Sequence, residues 1–327
     1  MRRREFMIGA AAAVGISRPT LLRAQPTKIY KLGMLTPGLP MEATNGRGAI
    51  LINAVAQRGY KLGQNLTFEA RGARGKSQQL PALMQELKAA KVSVVVTLGY
   101  PPVVAAKASG VPTVIASGSG DPVETGLIES LARPGGNVTG IADNPATLST
   151  KRLSLLKALL PQLKRAAMLW NKDDLGMTLR YKASATAAQA MGVDVQPLGV
   201  GEPDDFDDAF SAMKRDMPEA ILMVSDSLTL LNRKRVIDFA AEHRLPAIYE
   251  TDDIVREGGL MSYGADQHES LVRVAALVDA IFKGAKPADL PIEQPTRYLF
   301  VLNLKTAKQM NLAVPNTVAA LADEVVE

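Results

Sequence analysis

Cysteine is absent from this sequence of 327 residues, and histidine is nearly so. Without thiols the chain can form no disulfide framework, no thiolate metal site and no cysteine nucleophile, and it cannot carry a lipid anchor on a cysteine. His243 and His268 are the only histidines. We interpret both as partly exposed surface residues, with a catalytic or zinc-binding role as the alternative. No cofactor and no bound metal are therefore expected.

The positive charge of the sequence is concentrated at its start. The formal net charge is +5, of which the first 24 residues carry +4 through five arginines and one glutamate. The remainder carries about +1 and has no basic stripe, so we do not expect a nucleic-acid partner. No later run is long and apolar enough to predict a transmembrane helix.

Residues 1–24 have the features of an export signal. The three arginines Arg2 to Arg4 precede a charge-free run too short to span a bilayer, and Ala24 supplies a small residue at a plausible cleavage point. The stretch Arg3-Arg4-Glu5-Phe6-Met7 resembles the twin-arginine pattern. An ordinary Sec leader is the alternative. We predict that the mature chain begins near Gln25 and leaves the cytoplasm.

From Tyr30 the chain alternates short β-rich runs with amphipathic stretches, which is the pattern of βαβ units in a parallel sheet. The length exceeds what one hydrophobic core usually serves, and the alternation begins again near Arg165. We therefore predict an α/β fold of two doubly wound parallel-sheet lobes joined by a hinge of three crossings. The crossings are predicted at 137–140, 262–264 and 294–296. The N-terminal lobe would comprise 25–138 plus 265–294, and the C-terminal lobe 139–264 plus 295–327.

The stretch 111–141 predicts a binding loop in the first lobe. Its apolar start ends abruptly in Ser117-Gly118-Ser119-Gly120-Asp121-Pro122, so a buried strand delivers a polar loop to the carboxyl edge of the sheet, where open α/β sheets bind ligands. We expect Ser117, Ser119 and the backbone around Gly120 to bind the anionic or carbonyl end of a ligand. Asp121 is as readily a helix N-cap as a ligand contact.

The same stretch carries a family resemblance. Residues 121–127 and 131–140, which end in Arg-Pro-Gly-Gly-Asn-Val-Thr-Gly, resemble a signature of one family of ABC-transporter substrate-binding proteins. The resemblance returns at 59–65, 169–171, 245–250, 258–264, 283–291 and 303–307. Characterised members of this family bind tryptophan or phenylalanine and have the type I periplasmic-binding-protein fold. Tyr100 and Lys172 depart from the family pattern, which more often has threonine and proline there.

The resemblance implies a ligand cleft between the lobes, lined by residues at strand ends. Tyr100, Trp170, Tyr249 and Tyr263 could form an aromatic enclosure for an amino acid or an aromatic acid, although such faces also stack on sugars. Tyr100 could instead lie on the surface and Trp170 in the core. With the loop described above, the complete set of candidate binding residues is Thr36, Tyr100, Ser117, Ser119, Asp121, Trp170, Asn171, Asp226, Tyr249 and Tyr263.

The leading functional hypothesis is a periplasmic solute-binding receptor of an ABC importer. It would capture a small polar ligand by hinge closure, present it to a membrane permease and act as a monomer. One alternative is an exported enzyme that uses Asp226, Glu250 or Asp252 as acid and base. No nucleophile elbow surrounds Ser117 or Ser119, and this disfavours the enzyme. A periplasmic ligand sensor is the other alternative.

Overall fold

The computed structural model of the protein describes residues 28–327, so the predicted export signal at 1–24 lies outside the described residues. Two β-sheets organise these residues, and apolar clusters cover both faces of each sheet. The predicted α/β architecture of two lobes is confirmed.

The first sheet has five parallel strands in the order β2-β1-β3-β4-β5. The strands are β1 (Tyr30–Thr36), β2 (Leu66–Gly72), β3 (Val94–Leu98), β4 (Thr113–Ser117) and β5 (Val138–Gly140). Helices α1 (Gly46–Ala56), α2 (Leu80–Ala89) and α3 (Tyr100–Ser109) connect them. Every residue of β3 is buried, as expected for a valine-rich parallel strand covered on both faces.

The second sheet has seven strands in the order β12-β11-β10-β9-β8-β6-β7. They are β6 (Arg165–Asn171), β7 (Asp194–Val200), β8 (Ala220–Met223), β9 (Ala247–Tyr249), β10 (Met261–Ala265), β11 (Tyr298–Asn303) and β12 (Glu324–Val326). Strand β11 runs antiparallel to β10, so this sheet is mixed rather than wholly parallel as predicted. Its helices are α4 (Pro145–Leu159), α5 (Leu175–Ala190), α6 (Asp205–Arg215), α7 (Ser227–Leu231), α8 (Arg233–Glu242), α9 (Asp252–Arg256), α11 (Leu304–Gln309) and α12 (Asn316–Ala319).

The first passage between the sheets comes later than the sequence suggests. Thr139 pairs with Val114 and Gly140 with Ile115, so the predicted crossing at 137–140 is instead an edge strand of the first sheet. A Cβ on Gly140 would lie 2.3 Å from the backbone N and O of Ile115, which shows that this glycine permits close strand pairing. The chain leaves the first sheet only after Gly140.

Two further passages follow β10 and precede β11. Helix α10 (Gln267–Phe282) returns to the first sheet, where it packs on α1, and the Tyr60 hydroxyl donates to Asp279 Oδ1 at 2.7 Å. The segment after α10 stays beside β5, since Thr139 Oγ1 donates to Leu290 O at 2.8 Å. The three passages therefore lie side by side between the sheets.

Residues 28–327 contain neither a membrane-spanning helix nor a cluster of metal-binding side chains. No helix within residues 28–327 is both long and apolar enough to cross a bilayer. Over the same range, no group of three or more His, Asp or Glu side chains is placed to hold a metal ion.

Candidate functional site

A cavity of about 520 Å³ lies between the two sheets, at the carboxyl ends of their strands. From the first sheet it is lined by residues that end or follow β1, β3 and β4, and from the second by residues that follow β6, β8 and β9. The passages between the sheets line its remaining side. Both lobes and the hinge therefore contribute to one site.

The two lobes touch each other around this cavity. A Cβ placed on Gly120 would lie 3.1 Å from Gly176 Cα, on the opposite lobe. At another point Arg47 Nη2 lies 3.4 Å from Asp253 Oδ2, again across the cleft. The structure therefore shows the lobes closed against each other.

Four charged residues, three buried and one half-buried, form the hinge side of the cavity. Arg152 Nη1 donates to Glu250 Oε1 at 2.7 Å, and Arg180 Nη1 donates to Glu250 Oε2 at 3.3 Å. Arg180 Nη2 also donates to both oxygens of Asp143, at 2.6 and 2.7 Å. Burial alone would lower the pKa of Arg180, but Asp143 and Glu250 outweigh that effect and raise it. We call these residues the hinge quartet; two arginines balance two carboxylates, so its formal charge is zero.

The hinge quartet joins the passages to the second lobe. Asp143 lies in the first passage, and Arg152 Nε donates to the backbone oxygen of Tyr263, in the strand that leads into the second passage. Arg152 and Arg180 project from α4 and α5 of the second lobe. The hinge is therefore attached to this lobe by buried ion pairs.

Asp174, which is buried, and Asp226, which is half-buried, bring two further carboxylates to the cavity. Asp226 caps α7, since Oδ1 accepts from Thr229 N at 2.9 Å, and its Oδ2 accepts from Asn171 Nδ2 at 2.6 Å. Asp174 caps α5 by accepting from Met177 N at 3.2 Å. Neither carboxylate forms a salt bridge within the described residues.

The electrostatic environment of this pair disfavours two negative charges. Burial, followed by the charge of Asp226, raises the pKa of Asp174 to about 7. Burial likewise raises the pKa of Asp226, although hydrogen bonds from Thr229 and Asn171 oppose the shift. A cation placed between the two carboxylates would remove this repulsion, so the pair is suited to bind an ammonium group.

The first lobe presents hydrogen-bond donors at the end of β4. Ser117 and Gly118 line the cavity, and Gly118 has a φ of 73°, a left-handed conformation that glycine adopts without strain. The N–H of Gly118 donates no hydrogen bond within the described residues. Thr36 also lines the cavity, but its hydroxyl already donates to Leu39 O at 2.7 Å.

Of the residues predicted to bind ligand, three line the cavity and one lies behind it. Thr36, Ser117 and Asp226 line it, while Asn171 orients Asp226. Ser119 is fully buried, and its Oγ lies 3.4 Å from Gly120 O, outside the lining. Asp121 is also outside the lining: its Oδ1 accepts from the N–H groups of residues 123 and 124, but these belong to a turn and not to the helix that the N-cap alternative assumed.

The four aromatic residues predicted to enclose the ligand do not line the cavity. Among the described residues, no phenylalanine, tyrosine or tryptophan lines the cavity. Tyr249 is fully buried in the core of the second lobe, and Trp170 stacks on Tyr181 with ring centroids 3.7 Å apart. Tyr263 packs near another tyrosine, with ring centroids 6.0 Å apart. Tyr100 begins α3 and borders a neighbouring groove rather than the cavity.

Strand alternation explains why these rings are absent from the cavity. Successive side chains of a strand point to opposite sides. Tyr249 packs into the core, and the next residue, Glu250, reaches the cavity. At the end of β6, Trp170 packs against the second lobe, and Asn171 turns toward Asp226.

Comparison with known proteins gives one family and several structural relatives. The family model described as ABC transporter substrate binding protein matches residues 43–326. The tyrosine-binding protein of Clostridioides difficile (strain R20291) is 23% identical over 262 residues, which is 80% of this chain and 75% of that protein.

Solved structures show the same fold. A structure from Streptococcus pneumoniae, described as an ABC domain in complex with L-Trp, has a TM-score of 0.83 at 24% identity, covering 91% of this chain and all of that one. A conserved domain protein from Vibrio cholerae has a TM-score of 0.84 at 22% identity, with the same coverage.

Proposed function

Because the chain belongs to the family of ABC transporter substrate-binding proteins, as its motifs predicted, we propose that it is the periplasmic receptor of an ABC importer and that it captures an amino acid. The observation that carries the choice of ligand is the pair of Asp174, which is buried, and Asp226, which is half-buried, both without a salt-bridge partner in an interlobe cavity. The permease of the importer would be its protein partner.

An amino acid fits the charges on the two sides of the cavity. Its ammonium group would lie against Asp226 and Asp174 of the second lobe, while its carboxylate would accept from Ser117 Oγ and Gly118 N–H of the first. The lining also includes apolar side chains that can cover hydrocarbon: Leu39, Met41, Leu98, Leu230 and Leu231. Two relatives, one a tyrosine-binding protein and one solved in complex with L-Trp, support this ligand class.

The experiment that tests this proposal is a thermal-shift and calorimetry screen of the mature protein. The ligands are L-amino acids, the corresponding deaminated acids and decarboxylated amines, benzoate, and sugars. We expect stabilisation only from compounds with both an ammonium and a carboxylate; a ligand at 100 times its Kd adds about 2.7 kcal/mol. Stabilisation by sugars or benzoate alone would contradict the proposed ligand class.

Closure of the lobes around the ligand can be tested at Gly120. We expect Gly120→Leu to weaken ligand affinity by at least about tenfold, because the side chain meets Gly176 of the opposite lobe and depletes the closed population. Gly126→Leu is a matched control, since both glycines have a φ of 71° and no atom lies within 4 Å of a Cβ on Gly126. Small-angle scattering should show ligand-induced compaction in the wild type and in the control. Equal affinities of the two variants would oppose closure at this contact.

Ligand affinity should depend on pH through Asp174. Its raised pKa of about 7 means that the carboxyl gains a proton as pH falls through neutrality, and a neutral carboxyl attracts an ammonium group less. Affinity should therefore fall between pH 8 and pH 6, by up to about tenfold per pH unit.

The stability of the ligand-free protein should show the opposite dependence on pH. A raised carboxyl pKa stabilises the fold at low pH, and that contribution is lost as pH rises through 7. Asp174→Asn should flatten both profiles, while Asp173→Asn should leave them unchanged.

Export is proposed from the first 24 residues alone. Replacing Arg3 and Arg4 by lysine should abolish accumulation of the mature protein in the periplasm if the twin-arginine route is used. Fractionation followed by mass spectrometry of the N-terminus measures this outcome. Unchanged export of the double variant would favour the Sec route, and an intact Met1 in the cytoplasm would contradict export altogether.

We propose a binding function rather than catalysis. Both oxygens of Glu250 are occupied by Arg152 and Arg180, and Asp252 pairs with Arg256 outside the cavity lining. Two of the three carboxylates considered for acid and base chemistry are thus committed to ion pairs. Reconstituting ligand uptake with the cognate permease would distinguish transport from sensing.

A further inference from the structure

One nitrogen of Arg152 has no hydrogen-bonding role within the protein. The Arg152 side chain is 3% exposed and lines the cavity. Its Nε donates to Tyr263 O and its Nη1 to Glu250 Oε1, both at 2.7 Å, but Nη2 donates no hydrogen bond within the described residues. Because Arg152 lines the cavity, its Nη2 can donate to an acceptor of a molecule that binds there.

Three hydroxyls without partners also line the cavity. Ser225, Thr251 and Ser270 all line the cavity, and the oxygen of each side chain is buried and unpaired in this structure. Ser225 N donates to Glu250 Oε2 at 3.2 Å, and Thr251 follows Glu250 in the chain, so two of the three adjoin the hinge quartet. A change of χ1 redirects a hydroxyl without moving the backbone. These side chains can therefore supply several hydrogen bonds to a ligand.

The charge around Arg152 favours a neutral group. Asp143 and Glu250 already balance Arg152 and Arg180, so an added carboxylate would find no net positive charge. The nearby Asp226 and Asp174 would repel it further. A hydroxyl, carbonyl or amide oxygen can accept from Arg152 Nη2 without this penalty.

The order of the strands places Arg152 and Glu250 to one side of the proposed ammonium site. Glu250 follows β9, Asp226 follows β8 and Asp174 follows β6, and the sheet order places β9 between β8 and the hinge strand β10. Arg152 contacts Glu250 and the backbone of β10, so it lies on the hinge side of Asp226. It can thus reach a part of the ligand beyond the α-carbon.

We infer that Arg152, with Ser225, Thr251 and Ser270, forms a specificity subsite for a neutral oxygen on the ligand's side chain. This inference rests on the proposed function, because it assumes that the ammonium and carboxylate of an amino acid are bound at Asp226 and Ser117. The ligand class is accordingly narrowed to amino acids whose side chains bear a hydroxyl or a carboxamide.

The test uses matched ligand pairs on the wild-type protein, so it needs no variant to fold. Calorimetry would compare threonine with valine, tyrosine with phenylalanine, and glutamine with glutamate. We expect the member with the neutral oxygen to bind at least about tenfold tighter in the pair that fits the cavity. Ratios within twofold in every pair that binds would overturn the inference while leaving the proposed function intact. Binding of no amino acid would overturn both.

The variant Arg152→Lys then tests whether Arg152 causes the preference for a neutral oxygen on the ligand's side chain. Lysine keeps the positive charge beside Glu250 but lacks the planar fork that presents Nη2. We expect the affinity ratio of the selective pair to fall toward 1, chiefly through loss of the preferred ligand. Arg47→Lys is the control, because Arg47 lines the cavity but pairs across the cleft with Asp253, and it should keep the ratio. An equal loss of affinity for both members of the pair in Arg152→Lys would instead indicate binding of the shared α-carboxylate and contradict the inference.

Discussion

Glu250→Gln is expected to lower the free energy of unfolding of the second lobe by about 3–5 kcal/mol, the usual result of removing one partner from a buried ion pair. The substitution preserves side-chain shape but leaves Arg152 and Arg180 with only Asp143 to balance them. Because Trp170 is the only tryptophan and lies in this lobe, its fluorescence during urea unfolding reports the change.

An exposed ion pair provides the control for this prediction. Glu257 pairs with Arg233 at the surface, where the two side chains are 43% and 36% exposed. Glu257→Gln should therefore cost no more than about 1 kcal/mol. A loss below about 1 kcal/mol in Glu250→Gln would show that the hinge quartet contributes little to stability.

Asp226→Asn is expected to weaken binding of an amino acid by about 2–4 kcal/mol, roughly 30- to 800-fold in Kd. The substitution removes the negative charge proposed to face the ammonium group. Asparagine retains an oxygen that can accept from Thr229 N, so the cap of α7 is preserved. Isothermal titration calorimetry measures the loss, and circular dichroism confirms the fold.

Asp173→Asn is the matched control for the binding prediction. Asp173 lies beside Asp174 in the same loop but does not line the cavity. Its substitution should change the affinity by less than about twofold. If Asp226→Asn bound the ligand as tightly as this control, the ammonium group would have to lie elsewhere.

Local pattern was sufficient to predict the strands of the first lobe and the polar loop that follows β4. The run 111–116 is apolar and β-branched, and the serine and glycine residues after it mark the strand end. The structure places Ser117 at that end and in the cavity lining. Ser119 was harder to place, because its orientation depends on the turn conformation of Gly118 and Gly120 rather than on residue type.

The hinge quartet could not be predicted, because its ion pairs join distant parts of the chain. Arg152 is 98 positions from Glu250, and Arg180 is 37 positions from Asp143. One local signal was present: Arg152 lies one turn from Leu148 and Leu155, on the apolar side of its helix. A charge at such a position indicates a buried partner, but the sequence does not say which carboxylate supplies it.

The aromatic residues were predicted to face the cleft, but a side chain at a strand end can point either into the lobe or into the cavity. Trp170 and Tyr249 lie near the ends of strands that reach the cleft, yet the side chain of each packs into the second lobe. A shift of one residue moves a side chain from the core to the cavity. The exact last residue of a short strand such as β9 therefore decides the chemistry of the site.

The position of α10 has a consequence for the order in which the chain can fold. This helix covers a face of the first sheet, but it is synthesised after β10 of the second lobe, and the contact of Tyr60 with Asp279 spans 219 positions. The second lobe in turn lacks β11 until residue 303 has been made. No single cut in the chain yields two complete lobes, and such long-range closure slows folding. The first sheet therefore keeps one apolar face uncovered until α10 has been made, when most of the chain is already synthesised.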